Sequence, residues 1–153
     1  MDDLRALYTD LIRDHCESPR NRGSLEHHTG YAQGFNPLCG DRVRIELIVN
    51  DGVLEDIRFD GAGCAIATAS ASLMTQAVKG KPIDEVLHTF ERVHTLVTAD
   101  NDHEITDADT EGLGKLAALA GVRLIPIRVK CATLAWHALK AAIENDTQTV
   151  TTE

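Results

Sequence analysis

Four cysteines, Cys16, Cys39, Cys64 and Cys131, are the side chains best equipped for chemistry in this chain. Cys39 lies within Asn36-Pro37-Leu38-Cys39-Gly40-Asp41, which Pro and Gly mark as a turn. Cys64 follows Gly61-Ala62-Gly63 and precedes a run of Ala, Ser and Thr, so it reads as the start of a helix. Cys131 likewise reads as the opening of a last helical run. Helix N-termini carry free N–H groups and partial positive charge, which favour thiolates. A thiolate can bind a metal ion or attack a sulfur–sulfur bond. Asp41, two residues past Cys39, adds a carboxylate that could serve as a fourth ligand. None of the cysteines forms a Cys-x-x-Cys pair, and free Cys also packs as a small hydrophobe. The residues alone therefore leave two readings open, a metal site and an inert core.

The elements that must position these residues are legible from periodicity. Residues 2–17 place Leu4, Leu7, Tyr8, Leu11 and Ile12 on one helical face, and Ser18-Pro19 ends the helix. A short strand is expected at Tyr31–Phe35. Val43, Ile45, Leu47 and Val49 alternate along a second strand, and Val53, Glu55, Ile57 and Phe59 along a third. Asn50-Asp51-Gly52 between them is a hairpin turn signal. Ala65–Lys79 is expected to be a helix of small residues capped by Gly80, and 82–95 another, with Pro82 at its start. The acidic stretch 98–111 reads as a loop, Leu113–Ala120 as a short helix ending at Gly121, and Pro126–Lys130 as extended. Cys131–Ile143 reads as the final helix, and Asn145–Glu153, without periodicity, as a fraying end. The expected fold is α+β: a small antiparallel sheet of about three strands, with helices packed on one face.

The chain has 153 residues, which suits one domain, and no internal repeat is visible. Hydrophobic residues at 43% and charged residues at 25% describe an ordinary globular balance. Aromatics at 4% leave the core to aliphatic and Ala packing. The net charge of −9 argues against non-specific nucleic-acid binding, which needs a basic footprint. No apolar run is long enough for a transmembrane helix, and the acidic start lacks the pattern of a secretory signal. The expectation is a cytoplasmic protein with no membrane or nucleic-acid partner. In a reducing cytosol four cysteines suit metal binding or catalysis better than disulfides.

Three segments carry a resemblance. Asn36-Pro37-Leu38-Cys39-Gly40-Asp41, Gly61-Ala62-Gly63-Cys64-Ala65-Ile66-Ala67-Thr68-Ala69-Ser70 and Lys130-Cys131-Ala132-Thr133-Leu134-Ala135-Trp136 resemble, in order, motifs of the U-type iron–sulfur cluster assembly family, which includes IscU, SufU and the N-terminal part of NifU. Asp14-His15 and Ser18-Pro19-Arg20-Asn21-Arg22-Gly23 resemble the family's start. The resemblance covers roughly residues 4–143 and implies a SufE/NifU-like α+β fold. Lys130 stands where IscU-type members have His, and 66 residues separate Cys64 from Cys131, so about 82–112 reads as an insertion within a single domain, 1–153. Both features are similar to the SufU subgroup.

That resemblance implies zinc held by Cys39, Asp41, Cys64 and Cys131, and persulfide sulfur accepted from a SufS-type cysteine desulfurase. It implies Cys39 as the catalytic acceptor, released when the desulfurase supplies a His to the metal, and a downstream cluster scaffold as recipient. Whether such a sulfurtransferase is an enzyme or a carrier stays open. The alternative is a scaffold building a transient [2Fe–2S] cluster, hence iron binding, on the same cysteines. A purely structural zinc domain is a third reading. Zn²⁺ with three thiolates and a carboxylate carries excess negative charge, which Arg128 and Lys130 could offset unless they are simply solvated. Cys16 inherits no role. His15 reads as structural, His27 and His28 as solvated, His88, His94 and His103 as solvated or part of a partner surface, and His137, six residues past Cys131 and off its face, as no ligand.

Overall fold

The computed structural model describes residues 2–100, 102–144 and 150–151, except for the side chains of 2–7 and 150–151. The order is α1 (Asp2–Glu17), β1 (Gly30–Asn36), β2 (Asp41–Asn50), β3 (Val53–Ala62), α2 (Ala65–Val78), α3 (Ile83–Thr98), α4 (Asp107–Thr110), a 3₁₀ segment (Gly114–Leu124), α5 (Pro126–Ile143) and β4 (Val150–Thr151). β1, β2 and β3 form an antiparallel meander, and β4 adds two residues in parallel to β1 opposite Gly34 and Phe35. This is the expected α+β architecture.

Alternation decides which face is covered. Val43, Ile45 and Leu47 on β2 and Leu54, Ile57 and Phe59 on β3 are buried. α2 and α5 pack against that face, α1 packs on α2, and α3 packs on the 3₁₀ segment and α5. The β2–β3 turn holds Asp51 at φ 51° and Gly52 at φ 77°, the left-handed pair that a tight hairpin of this twist requires. Small residues let α2 approach closely, with Ala69, Ser70, Ala71 and Ser72 all buried. Trp136 on α5 is buried, and its indole N–H donates to Ser70 Oγ at 3.2 Å, binding α5 to α2. Ser70 in turn donates to the Ala132 carbonyl at 2.6 Å. On α1, Leu11 and Ile12 are buried; the expected contributions of Leu4 and Leu7 lie outside the described side chains.

Four expectations need correction. Pro126–Lys130 is helical, not extended: Pro126 is the first residue of α5, where its fixed φ suits a helix and its missing N–H costs nothing. Cys131 is therefore the sixth residue of α5 rather than its start. The short helix does not stop at Gly121. It is 3₁₀ and runs on to Leu124, and Gly121 is small because a Cβ there would lie 3.0 Å from the Tyr8 ring. The acidic stretch contains one helical turn, α4, closed by a capping box between Thr106 and Asp109. Arg92 and Arg123 grip this stretch from other elements, Arg92 through the Ala108 and Asp109 carbonyls and Arg123 through those of Asp100 and His103. Finally, Val150 and Thr151 pair with β1; the rest of the expected fraying end, 145–149 and 152–153, lies outside the described residues.

Candidate metal centre

The sheet and two helices bring the chemistry to one end of the molecule. Asn36 and Asp41 are register partners, so Pro37–Gly40 is the tip of the β1–β2 hairpin and Cys39 sits on it. Gly40, at φ 71°, supplies the left-handed residue that returns the chain into β2. Cys64 is the N-cap of α2, its Sγ accepting the Ala67 N–H at 3.4 Å. Cys131 is fully buried on α5, while Cys39 and Cys64 are partly exposed. The donor atoms of Cys39, Asp41 and Cys131 all lie within 4.8 Å of one another. Cys64 stands beside this group, outside its mutual limit, as α2's cap.

Asp41 is fully buried and satisfied on both oxygens. Oδ1 accepts the Cys64 N–H at 2.9 Å, and Oδ2 accepts from Asn36 Nδ2 at 3.1 Å. Gly63 is required for this contact, since a Cβ there would stand 2.7 Å from Asp41 Oδ1. Asn36 is also fully buried. Its amide nitrogen lies 3.5 Å from Cys131 Sγ, and its Oδ1 accepts the Leu38 N–H at 3.3 Å. Asn36 thus ties the hairpin tip, the carboxylate and α5 together. Its residue type signals this: Asn at the head of a turn caps the backbone two residues on.

Electrostatics divide the cysteines. Burial pushes the Cys131 thiol well above its usual range, and hydrogen bonding with Asp41, Cys39 and Cys64 pushes it further, because the neutral thiol can donate. Arg128, one turn earlier on α5, points its guanidinium at Cys39 Sγ, 3.8 Å away. A hydrogen bond with Cys131 and the charges of Cys64, Cys131 and Cys39 raise its pKa. Tyr8 also belongs to this neighbourhood. Burial raises its phenol, the charge of Cys64 acts in the same direction, and Arg128 opposes both.

Of the two cations expected to offset thiolate charge, the geometry brings Arg128 to the site, while among the described residues Lys130 is seen only accepting the Thr133 hydroxyl at its backbone carbonyl. Asn36 and Tyr8 are site residues that spacing did not single out. His15 is fully buried and shares a 2.7 Å hydrogen bond with Ser72 Oγ, a structural role as expected. His103 meets Asp109 at 2.9 Å and His28 lies 3.6 Å from Glu46, so neither is merely solvated. His94 stacks on Phe90 and meets the His137 ring edge-on at 5.5 Å, away from the cysteines.

The chemistry of the donor set fits zinc. Sulfur and carboxylate donors suit a tetrahedral ion, and Asn36 supplies the outer hydrogen bond that orients a ligating carboxylate.

The model of the NifU-like N terminal domain matches residues 7–152. The zinc-dependent sulfurtransferase SufU of Bacillus subtilis is 38% identical over 143 residues, covering 94% of this chain and 93% of its own. The iron–sulfur cluster assembly scaffold protein IscU of Thermotoga maritima is 34% identical over 141 residues, covering 92% and 95%. A crystal structure described as a putative iron–sulfur cluster assembly scaffold protein for the SUF system, from Fervidobacterium islandicum, superposes with a TM-score of 0.79 at 28% identity, covering 90% and 97%.

Proposed function

The chain belongs to the NifU-like N-terminal domain family, and we propose that it serves iron–sulfur cluster assembly by accepting persulfide sulfur at Cys39 from a SufS-type cysteine desulfurase. The observation that carries this reading is the unlike placement of ligands that share one site. Cys39 stands on a hairpin tip at the surface, while Asp41 and Cys131 are buried beneath it. Zinc held by Cys39, Asp41 and Cys131, with Cys64 completing the set, would keep the thiols ionised at neutral pH.

The chain's own residues then have separate tasks. Asp41, braced by Asn36 and the Cys64 N–H, anchors the buried side of the site. Arg128 sets a positive charge against the Cys39 sulfur, 3.8 Å away. The Cys39 thiolate attacks the outer sulfur of the donor's persulfide, that sulfur–sulfur bond breaks, and the donor cysteine leaves as a thiolate. Cys39 then carries the added sulfur, with no net oxidation, for a downstream cluster scaffold. We place this activity in the cytoplasm, in a single domain whose residues 82–112 are an insertion between Cys64 and Cys131. Among the described residues no helix is long and apolar enough to cross a membrane.

The second reading, a scaffold for a [2Fe–2S] cluster on the same side chains, is favoured by the likeness to IscU proteins. Metal and sulfide analysis of the purified protein separates the two. One zinc per chain without acid-labile sulfide, and persulfide on Cys39 after incubation with desulfurase and cysteine, is the expected result. Iron with stoichiometric sulfide and a visible absorption band would instead establish the scaffold.

A further inference from the structure

Arg42 is the odd member of the arginines on the sheet face turned away from α2 and α5. Alternate residues of a strand share a face, so Arg42 and Arg44 of β2 stand together there, about 7 Å apart along the strand. Register sets Phe35 of β1 opposite Arg42, and Gln33 of β1 and Asp60 of β3 on either side of Arg44. The other arginines on this side each meet a carboxylate: Arg22 meets Asp60 at 3.4 Å, Arg44 meets Glu46 at 3.7 Å and Arg58 meets Asp56 at 2.5 Å. Arg42, which is exposed, meets none among the described residues. The chain has 24 acidic residues against 15 basic ones, so carboxylates are not scarce. The Arg42 guanidinium lies over the Phe35 ring instead, 5.6 Å from its centre. An aromatic face supports a guanidinium without occupying its N–H groups.

Arg44 is only partly served as well. Its Nη2 donates to Ser24 Oγ at 2.9 Å, but its Nε is buried with no acceptor at hydrogen-bond distance. Asp60 is taken up by Arg22 and by the Gly61 N–H, which it accepts at 2.8 Å. Gln33, Phe35, Arg42, Arg44 and Asp60 line a cavity of about 470 Å³. That is the volume of a small-molecule site. The geometry points to a binding site for a small organic anion with two oxyanion groups, carboxylate or phosphate, one held by Arg42 and the other by Arg44. A guanidinium fork takes either kind of group through paired N–H···O bonds. The site is separate from the metal ligands and does not depend on the acceptor reading. It lies at the root of the same hairpin, because Phe35 and Arg42 are the register pair next to Asn36 and Asp41.

The test is a titration of the full chain, followed through the arginine Nε–Hε resonances at constant ionic strength. Three probes are used: succinate, with two carboxylates; 3-phosphoglycerate, with a carboxylate and a phosphate; and acetate, with one carboxylate. The Arg42 and Arg44 signals should move together and saturate at one midpoint with at least one of the two-headed probes. Acetate should need at least about ten times the concentration, since it can engage only one fork. Whichever two-headed probe binds tighter tells a dicarboxylate from a phosphate ester as the natural ligand class. Arg42→Gln should raise the midpoint at least about tenfold, and Arg42→Lys, which keeps the charge and loses the fork, should fall between it and the parent. Arg58→Gln, on the same face but already paired, should leave the midpoint unchanged. Shifts that grow linearly without saturating would overturn the proposal, because they report screening alone. So would acetate binding as tightly as the two-headed probes, an unchanged midpoint in both Arg42 variants, or shifts confined to Arg128, which would place the anion at the metal centre.

Discussion

Cys39 and Cys131 lie within 4.8 Å of each other yet belong to opposite kinds of structure. Cys39 is the tip of a four-residue connection, Pro37–Gly40, between two strands whose pairing ends at Asn36 and Asp41. It can move by changing turn dihedrals alone. Cys131 is fully buried one turn before Trp136, on a helix locked to α2 through Ser70. Moving it means moving the core. One site thus combines a sulfur on a surface turn with a sulfur in the core, and the proposed function gives transfer to the first and anchoring to the second.

The sharpest way to break this comparison is to substitute each cysteine separately. Cys39→Ser should abolish sulfur acceptance, a loss of at least about a hundredfold, because a hydroxyl is not ionised at neutral pH and cannot form a persulfide. Zinc binding through the remaining ligands should weaken, so the variant's melting temperature should fall by less than full metal removal lowers it. Cys131→Ser should lose metal first and acceptance as a consequence. Mass spectrometry of alkylated protein, trapped after reaction with desulfurase, reads the outcome directly. Sulfur found chiefly on Cys131 would invert the assignment.

Metal removal tests the anchoring half. The site joins the β1–β2 hairpin to α5, segments far apart in the chain, so metal binding adds to folding free energy. A ligand at a thousand times its Kd adds about 4 kcal/mol. For a domain of this size that corresponds to roughly 8–16 °C in melting temperature. Trp136 fluorescence is a suitable probe, since the indole is buried on the same helix as Cys131. A melt unmoved by verified zinc removal would leave the site without a structural role.

How far this comparison was readable from sequence alone depends on the kind of signal. The hairpin and α2 were legible because alternation, Asn50-Asp51-Gly52 and the Gly-rich turns are local; for the cysteines the residues alone left a metal site and an inert core open, and the structure brings Cys39, Asp41 and Cys131 together. The start of α5 was misread because Pro126 stands between apolar residues with no clear period, and only packing decides whether such a Pro opens a helix. Gly121 was misread as a stop because its actual reason, the Tyr8 ring, comes from 113 residues earlier in the chain. The contacts of Asn36 with Cys131 and of Arg128 with Cys39 span 95 and 89 residues, and no local pattern encodes them.

Those two contacts support the next tests. Arg128→Ala should slow sulfur acceptance by roughly tenfold or less, since a solvent-accessible cation beside the Cys39 sulfur is largely screened. Arg128→Lys should recover part of it, and zinc content should not change. Asn36→Ala leaves a buried carboxylate oxygen without its donor, at a cost of about 1–3 kcal/mol. It should weaken metal retention in a competition with a chelator. An Asn36→Ala protein that holds zinc like the parent would confine Asn36 to the turn.

The smallest expected effect lies away from the cysteines and reads the rigid half of the molecule through pH. His15 on α1 is fully buried against Ser72 of α2, with its Nε2 lacking a hydrogen-bond partner. Burial lowers its pKa, the charges of Arg20 and Lys115 lower it further, and Asp14 opposes them. His137 on α5 is lowered as well, first by burial and then by His94 and Lys140. In the unfolded chain both take up a proton near the ordinary value of about 6.5. Below that pH the unfolded state binds more protons than the folded one, so stability falls as the solution is acidified from about pH 7. His15→Gln should flatten that decline by removing one of the two titrations, even if it lowers stability at pH 7. Zinc release from the cysteines would also rise in acid, so the measurement is made on metal-free protein, as denaturant midpoint against pH. A slope of the same size in the variant would show that His15 does not carry the acid sensitivity of the α1–α2 contact.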